Sequence, residues 1–381
     1  MPEYDVDNGR GDADDTVWDA APHTLAKHRV YREYLSKWIP IMVQGWGGDV
    51  TIAEGFAGPG IYRGGQPGSP VIALRTLLDD PQLRRRARKL RFLFVEKMPR
   101  RAARLRSELE KAAEPVPLSE LPKYGIDVDI ATGSYDPTLV ELLDKHQAWE
   151  RPMLVILDSW GGAVKLDLVR RIAENPSSEV FITFEPQHFS RFAEAANTHH
   201  GDTVFGDLAW REVAEQPSTA KNRWVIEKYR SSLADSGFPH VLTFELVNNR
   251  GQSLFLIFGT THQRGLEKMK EAMWAVDPVH GVQYRDPADP NQQLLDIQPD
   301  PVTAPLQREL LLYLRVADSR SATVAELRDY AFFKTVYKRS QVKPVLDELA
   351  AKGILSSDSP DGRVRLSGTV RLNPSSTQID A

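Results

Sequence analysis

Residues 50–62 read VTIAEGFAGPGIY, a short apolar run that ends in Glu54 and opens into the turn Gly55-Phe56-Ala57-Gly58-Pro59-Gly60. A strand that ends in an acid and gives way to glycines is how α/β folds bring backbone amides close to a nucleoside-bearing ligand. Glycine loops also serve plain tight turns, so the residues that follow must separate the two readings. Residues 90–96, LRFLFVE, repeat the pattern with a second apolar run tipped by Glu96. An acid there, about forty residues past the first, is placed to accept hydrogen bonds from ribose hydroxyls.

The alternation continues on both sides. Upstream, Leu25, His28, Tyr31, Leu35 and Trp38 recur at helical spacing and predict an amphipathic helix over residues 24–43. Within it, Lys27 is read as a solvated lysine and His28 as a partly packed histidine. Downstream, strands are expected at 127–131, leading into Gly133 and Ser134, at 152–157, ending at Asp158, and at 179–184, ending at Glu185. Helical segments at 71–78, 137–146 and 165–174 fall between the strands. This predicts a mostly parallel sheet covered on both faces, with ligands bound beyond the carboxyl ends of the strands. Glu54, Glu96, Asp158 and Glu185 all fall on that rim. Residues 241–260 read as two strands around Asn-Asn-Arg-Gly, a hairpin. An antiparallel hairpin closing a parallel sheet is the ending expected of a Rossmann-like, methyltransferase-type fold. A helix over 264–276 and a Pro/Asp-rich linker follow.

A distinct unit is expected from about residue 301 to 375. It has a helix over 306–316, a capping box at Thr323 and Glu326, and a third helix over about 338–352 that ends at Gly353. A hairpin pairing 354–355 with 363–366 completes a winged helix-turn-helix. Lys338, Arg339, Gln341 and Lys343 lie at the end of the third helix that reads the major groove in such modules. Residues 303–372 carry twelve Lys/Arg against eight Asp/Glu. Nucleic-acid binding and protein docking both stand as readings of this unit.

Composition narrows the classes. The chain of 381 residues carries a formal charge of −4, which argues against a protein that coats nucleic acid indiscriminately. It contains no cysteine, which excludes disulfides, thiolate zinc sites, iron–sulfur clusters and cysteine nucleophiles. No apolar run is long enough to span a bilayer, and the acidic start MPEYDVDNGRGDADD lacks the pattern of an export signal, so a cytoplasmic location is expected. Residues 1–20 are read as a disordered acidic tail and 21–300 as the Rossmann-like domain.

Together, KHRVYREYLSKW, EGFAGPGIYRGGQPGSPVIAL, FLFVEK, MLVILDSWGG, MKEAMWAVD and the winged C-terminus resemble the three-Cys-motif partner family, TcmP. This is a bacterial group with a methyltransferase-like Rossmann domain and a winged helix, encoded beside a protein with a three-cysteine motif like that of radical S-adenosylmethionine enzymes. The resemblance covers nearly the whole chain after residue 20, and its most specific part is the FAGPG block with the following GSP. It departs from the family in two places. The family's Asp-Pro-Tyr/Phe-Gly block is here Asp158-Ser159-Trp160-Gly161-Gly162, and losing the proline counts against methylation of an exocyclic base amine. The first strand ends in Glu54 where the family more often has Asp.

The resemblance implies S-adenosylmethionine as cofactor. Glu54 would pair with its ammonium, and Phe56, Ala57, Gly58 and Gly60 would pass under its amino-acid end. Glu96 would take the ribose, and Gly133 and Ser134 would flank the adenine. Asp158 and Trp160 would face the acceptor. A non-catalytic partner that uses the winged helix to hold nucleic acid or the three-Cys-motif protein is the alternative. A third reading is a magnesium nuclease built on Glu54, Glu96 and Asp158. His188 is expected to be a packed edge residue, His199 and His200 a surface loop, and Trp210, Trp224 and Trp274 core or interface aromatics.

Overall fold

A computed structural model describes residues 16–159, 164–192, 199–248, 251–285 and 301–373. The chain divides into two compact units, Met1–Ala272 with Gln283–Gln292 and Met273–Val282 with Gln293–Ala381.

The long helix α1 (Pro22–Gly45) comes first. After it run β1 (Asp49–Glu54), α2 (Ser69–Leu78), α3 (Pro81–Arg86), β2 (Lys89–Glu96), α4 (Pro99–Ala113), β3 (Ile126–Thr132), α5 (Tyr135–Lys145), β4 (Met153–Leu157), α6 (Leu166–Ala173) and β5 (Glu179–Phe184). The helices α7 (Pro186–Phe192), α8 (His199–Phe205) and α9 (Lys221–Asp235) follow, then the hairpin β6 (His240–Val247) and β7 (Ser253–Thr260), the helix α10 (Gln263–Val276) and the short β8 (Gln283–Arg285). The sheet order is β3-β2-β1-β4-β5-β7-β6-β8. The first five strands are parallel, and β7 runs antiparallel to both β5 and β6. The expected α/β fold with an antiparallel closing hairpin is therefore present.

Successive strand residues point to opposite faces. On one face Ala53, Leu93, Val155 and Ile182 join a core with α5, α6 and α9. On the other, α1 lies against the sheet, with the Tyr31 ring 4.9 Å from Phe181 and the Tyr34 ring 5.0 Å from Phe258. Glu54, Asp158 and Glu179 have the parity of this second face, so each acid is turned toward α1.

Several expectations need correction. Lys27 is not solvated: it is 4% exposed on the buried stripe of α1 that also holds Tyr31, Tyr34 and Trp38. The linker after residue 276 contains β8, which pairs with β6 and so satisfies backbone groups on that edge. His199 and His200 begin α8 rather than a loop. The tail assigned to 1–20 is tied down at its end, because the Arg63 amide donates to the Trp18 carbonyl (2.9 Å) and the Arg63 guanidinium reaches Asp19 (3.2 Å). Residues 1–15 lie outside the described residues.

The second unit contains α11 (Ala304–Val316), β9 (Ser321–Thr323), α12 (Val324–Lys334), α13 (Arg339–Ala351), β10 (Leu355–Ser357) and β11 (Thr369–Leu372). The capping box forms, with Glu326 accepting from the Thr323 amide (2.7 Å) and the Thr323 hydroxyl accepting from the Glu326 amide (3.1 Å). The strands form one antiparallel sheet, β10-β11-β9. The returning strand is 369–372, not 363–366. Val370 and Leu372 both turn into the core, whereas Leu366 is exposed and only Val364 of the earlier stretch is buried.

Candidate functional site

The turn after β1 is built by hydrogen bonds that cross strands. The Gly55 amide donates to the Ile156 carbonyl and the Ala57 amide to the Val95 carbonyl, both at 2.9 Å, which draws the loop over the carboxyl ends of β1, β2 and β4. Gly58 and Gly60 have φ of +64° and +75°, where side chains are strained. A Cβ at Gly60 would also meet Leu105 Cδ1 of α4 at 2.8 Å. The loop then closes on itself through the Gly68 amide and the Gly60 carbonyl (2.8 Å).

Glu96 shapes this turn from below. Its carboxylate accepts from the Gly58 amide (2.8 Å) and the Met98 amide (2.9 Å), while its carbonyl accepts from Gly133 (3.1 Å). The third expected loop thereby joins the first: Ser134 occupies the N-cap position of α5, and the next residue, Tyr135, packs its ring 4.9 Å from Phe56. The structure thus brings Phe56, Ala57, Gly58, Gly60, Glu96, Gly133 and Ser134 into one neighbourhood.

Glu54 is 1% exposed. One oxygen accepts from the Ser69 hydroxyl at the start of α2 (2.6 Å), and the other has no hydrogen-bond partner among the described residues. Burial pushes its carboxyl well above the usual carboxylate range, and the nearby charges of Asp158 and Glu96 push the same way. A buried carboxyl with an idle oxygen costs stability unless a donor arrives. Such an atom fits the ammonium of an amino-acid-bearing cofactor.

Asp158 meets an occupant that the sequence reading did not anticipate. The Lys27 ammonium donates to Asp158 Oδ2 and forms a buried ion pair. Burial alone would raise the Asp158 carboxyl, but Lys27 outweighs it and holds the group below its usual value. His28 beside it is lowered to about 3, chiefly by burial and then by Lys27, so the imidazole stays neutral. Its ring lies 5.6 Å from Tyr62, which is itself edge-on to Trp18 at 6.0 Å. Trp18 covers the turn, since a Cβ on Gly58 would come within 3.8 Å of it, and the Arg101 guanidinium lies 4.9 Å above its ring. Lys27, Tyr62, Ser69 and Trp18 were missed by the sequence reading. For Lys27 a signal existed, since it shares the spacing of Tyr31, Tyr34 and Trp38.

Trp160 lies outside the described residues, and Glu185 is exposed after β5. Among the described residues no group of three or more acids and histidines could hold a metal. His188 behaves as a packed edge residue, 5.3 Å from the Phe189 ring, with burial lowering its basicity. Trp210 is in the core of the first unit and Trp274 in that of the second, while Trp224 packs at the edge of the former.

The four residues at the start of α13 are engaged within their own unit. Gln341 accepts from the Lys338 amide (2.8 Å), and Arg339 pairs with Asp329 (2.8 Å) and lies 3.6 Å above Phe332. Lys343 pairs with Asp347 (2.7 Å), and the Lys338 ammonium is 5.8 Å from the Trp274 ring. Among the described residues no helix is long and apolar enough to cross a membrane.

No protein-family model matches the chain, and neither does any curated protein. Solved structures do resemble it. Trm1 from Pyrococcus horikoshii in complex with S-adenosyl-L-methionine is 7% identical, with a TM-score of 0.36 over 68% of this chain and 61% of that one. EvdMO1 is 12% identical, with a TM-score of 0.32 over 61% and 42%. The ATP-dependent Type ISP restriction-modification enzyme LlaBIII bound to DNA is 10% identical, with a TM-score of 0.31 over 65% and 21%. The chain spans less than two thirds of the length of each. At these scores the likenesses add no argument to the strand order, on which the methyltransferase-type α/β fold rests.

Proposed function

We propose that the first unit binds S-adenosylmethionine at the carboxyl ends of β1 and β2 and serves a methyltransferase-like role. The observation that carries this reading is Glu54, a buried carboxyl with one idle oxygen beside a glycine turn. In the liganded protein Glu54 holds the amino-acid ammonium. Gly58 and Gly60 keep the backbone low beneath it, and Glu96 fixes the turn at the strand end where the ribose would lie. The cofactor supplies an activated sulfonium methyl, so what the chain contributes is positioning. Asp158, held ionised by Lys27, makes a poor general base. Its role is to orient a cationic or amine-bearing acceptor that displaces the lysine. The sequence resemblance supports a three-Cys-motif protein as partner.

The Lys27–Asp158 pair favours one second reading. If the lysine never leaves, the acceptor side is closed, and the chain is a non-catalytic partner that uses its winged-helix-like second unit to hold nucleic acid or the three-Cys-motif protein. Incubation with methyl-labelled S-adenosylmethionine, the co-expressed partner, duplex DNA and RNA separates the two. Label passing to any acceptor supports the first reading. Co-purification or filter retention without label transfer supports the second.

A further inference from the structure

Residues 84–89, RRRARK, place five cations within six positions of a chain whose formal charge is −4. They run from the last turn of α3 into the start of β2, at the amino end of the sheet. The length of β2, about 23 Å, therefore separates them from the glycine turn. Leu83 and Ala87 anchor this stretch in the core, and Arg84, Arg85, Arg86, Arg88 and Lys89 are all exposed. The helix dipole favours cations in the last turn of α3, but Arg88 and Lys89 lie past its end.

The neighbouring acids are engaged elsewhere or stand apart. Asp79 and Asp80 precede α3, and Asp80 caps it by accepting from the Gln82 amide (2.8 Å) and the Leu83 amide (3.1 Å). Asp49, opposite Lys89 in the sheet register, is held by Arg91 (2.7 Å) and Arg151 (3.3 Å). Among the described residues Arg84, Arg85, Arg86 and Arg88 have no ion-pair partner. Exposed like charges this close repel one another, and an anion laid across them relieves the repulsion.

An aromatic residue adjoins the cations. The short helix Leu118–Tyr124 ends against them, where the Gly125 carbonyl accepts from the Leu90 amide (2.9 Å). A Cβ on Gly125 would fall 2.5 Å from the Arg88 carbonyl oxygen, so only glycine admits this approach. Tyr124, one residue from that contact, is 53% exposed. A plain anionic surface would use the cations and leave this ring idle. A single-stranded nucleic acid uses both, because its phosphates suit arginine and its unpaired bases stack on an aromatic face.

We infer that this patch of the first unit docks single-stranded nucleic acid, with Arg84, Arg85, Arg86 and Arg88 on its phosphates and a base on the Tyr124 ring. The surface is independent of S-adenosylmethionine binding and uses none of the residues at the start of α13.

The test is fluorescence anisotropy of the full chain with a labelled single strand of about twelve nucleotides and with the matching duplex, across a salt series. Saturable binding of the single strand is expected, at least about fivefold tighter than the duplex, whose base faces are already stacked. Four phosphate contacts predict a log–log salt slope of about −3. Combined Arg84→Ala, Arg85→Ala and Arg86→Ala should weaken binding by at least about tenfold and flatten the slope to about −1. Tyr124→Ala should weaken the single strand by about five- to tenfold and leave the slope unchanged. Thermal unfolding verifies that each variant is folded. No saturation up to about 100 μM protein at low salt would overturn the inference. So would a preference for duplex, either variant binding like the wild type, or sedimentation with phosphatidylserine vesicles without oligonucleotide binding.

Discussion

At the residue scale the site is governed by buried charge. Lys27 and Asp158 are each other's compensation in a nearly dry place, and removing one strands the other. Lys27→Met should therefore cost about 3–5 kcal/mol in urea unfolding. Lys27→Met combined with Asp158→Asn should cost clearly less than the sum of the single changes, and a strictly additive cycle would refute a direct pair. Glu54 behaves in the opposite sense. Burial raises its carboxyl, which must be ionised to hold an ammonium, so S-adenosylmethionine binding should tighten as pH rises through its titration, with release of a proton wherever the free protein carries one. Titrations in buffers of different ionisation heat read that proton directly, and Glu54→Gln should abolish both its release and the pH dependence. The sequence revealed Glu54 and Asp158 because an acid at a strand tip is a local signal. It hid the pair because Lys27 and Asp158 are 131 residues apart, and a lysine is assigned to solvent until its helical stripe is taken seriously.

At the element scale, α1 links the two ends of the sheet face: Lys27 reaches Asp158 at one end and Tyr34 reaches Glu179 at the other. Glu179 has a folded-state value of about 8 against 4.5 for the free group. Its contribution to stability is complete below about pH 4.5 and is lost as pH rises toward 8, with a slope of about 1.4 kcal/mol per pH unit. The melting temperature should fall across that window, and Glu179→Gln should flatten the profile. Gly60→Ala should destabilise by more than about 1 kcal/mol, since it meets both a positive φ and Leu105, and chemical denaturation would show it. The central strands were legible because apolar runs of strand length ended in acids or turns. β8 was not, because three residues carry no periodicity and their pairing depends on the free edge of β6. The returning strand of the second unit was misplaced for a related reason: RVRL and TVRL look alike in sequence, and only packing distinguishes them.

At the scale of the whole molecule, the chain divides into two compact units. The second unit is mildly basic in an acidic chain, but the four residues expected to read a groove are held by Asp329, Asp347, aromatic rings and their own helix cap. The turn after β1, with Glu54 at its base, is proposed as the cofactor loop. Isothermal titration of the full chain with S-adenosylmethionine should then give a saturable one-site isotherm with a dissociation constant on the order of micromolar, weakened by Glu54→Gln. A folded protein that gives no binding heat at several hundred micromolar ligand, in two buffers of different ionisation heat, would leave the turn without that role.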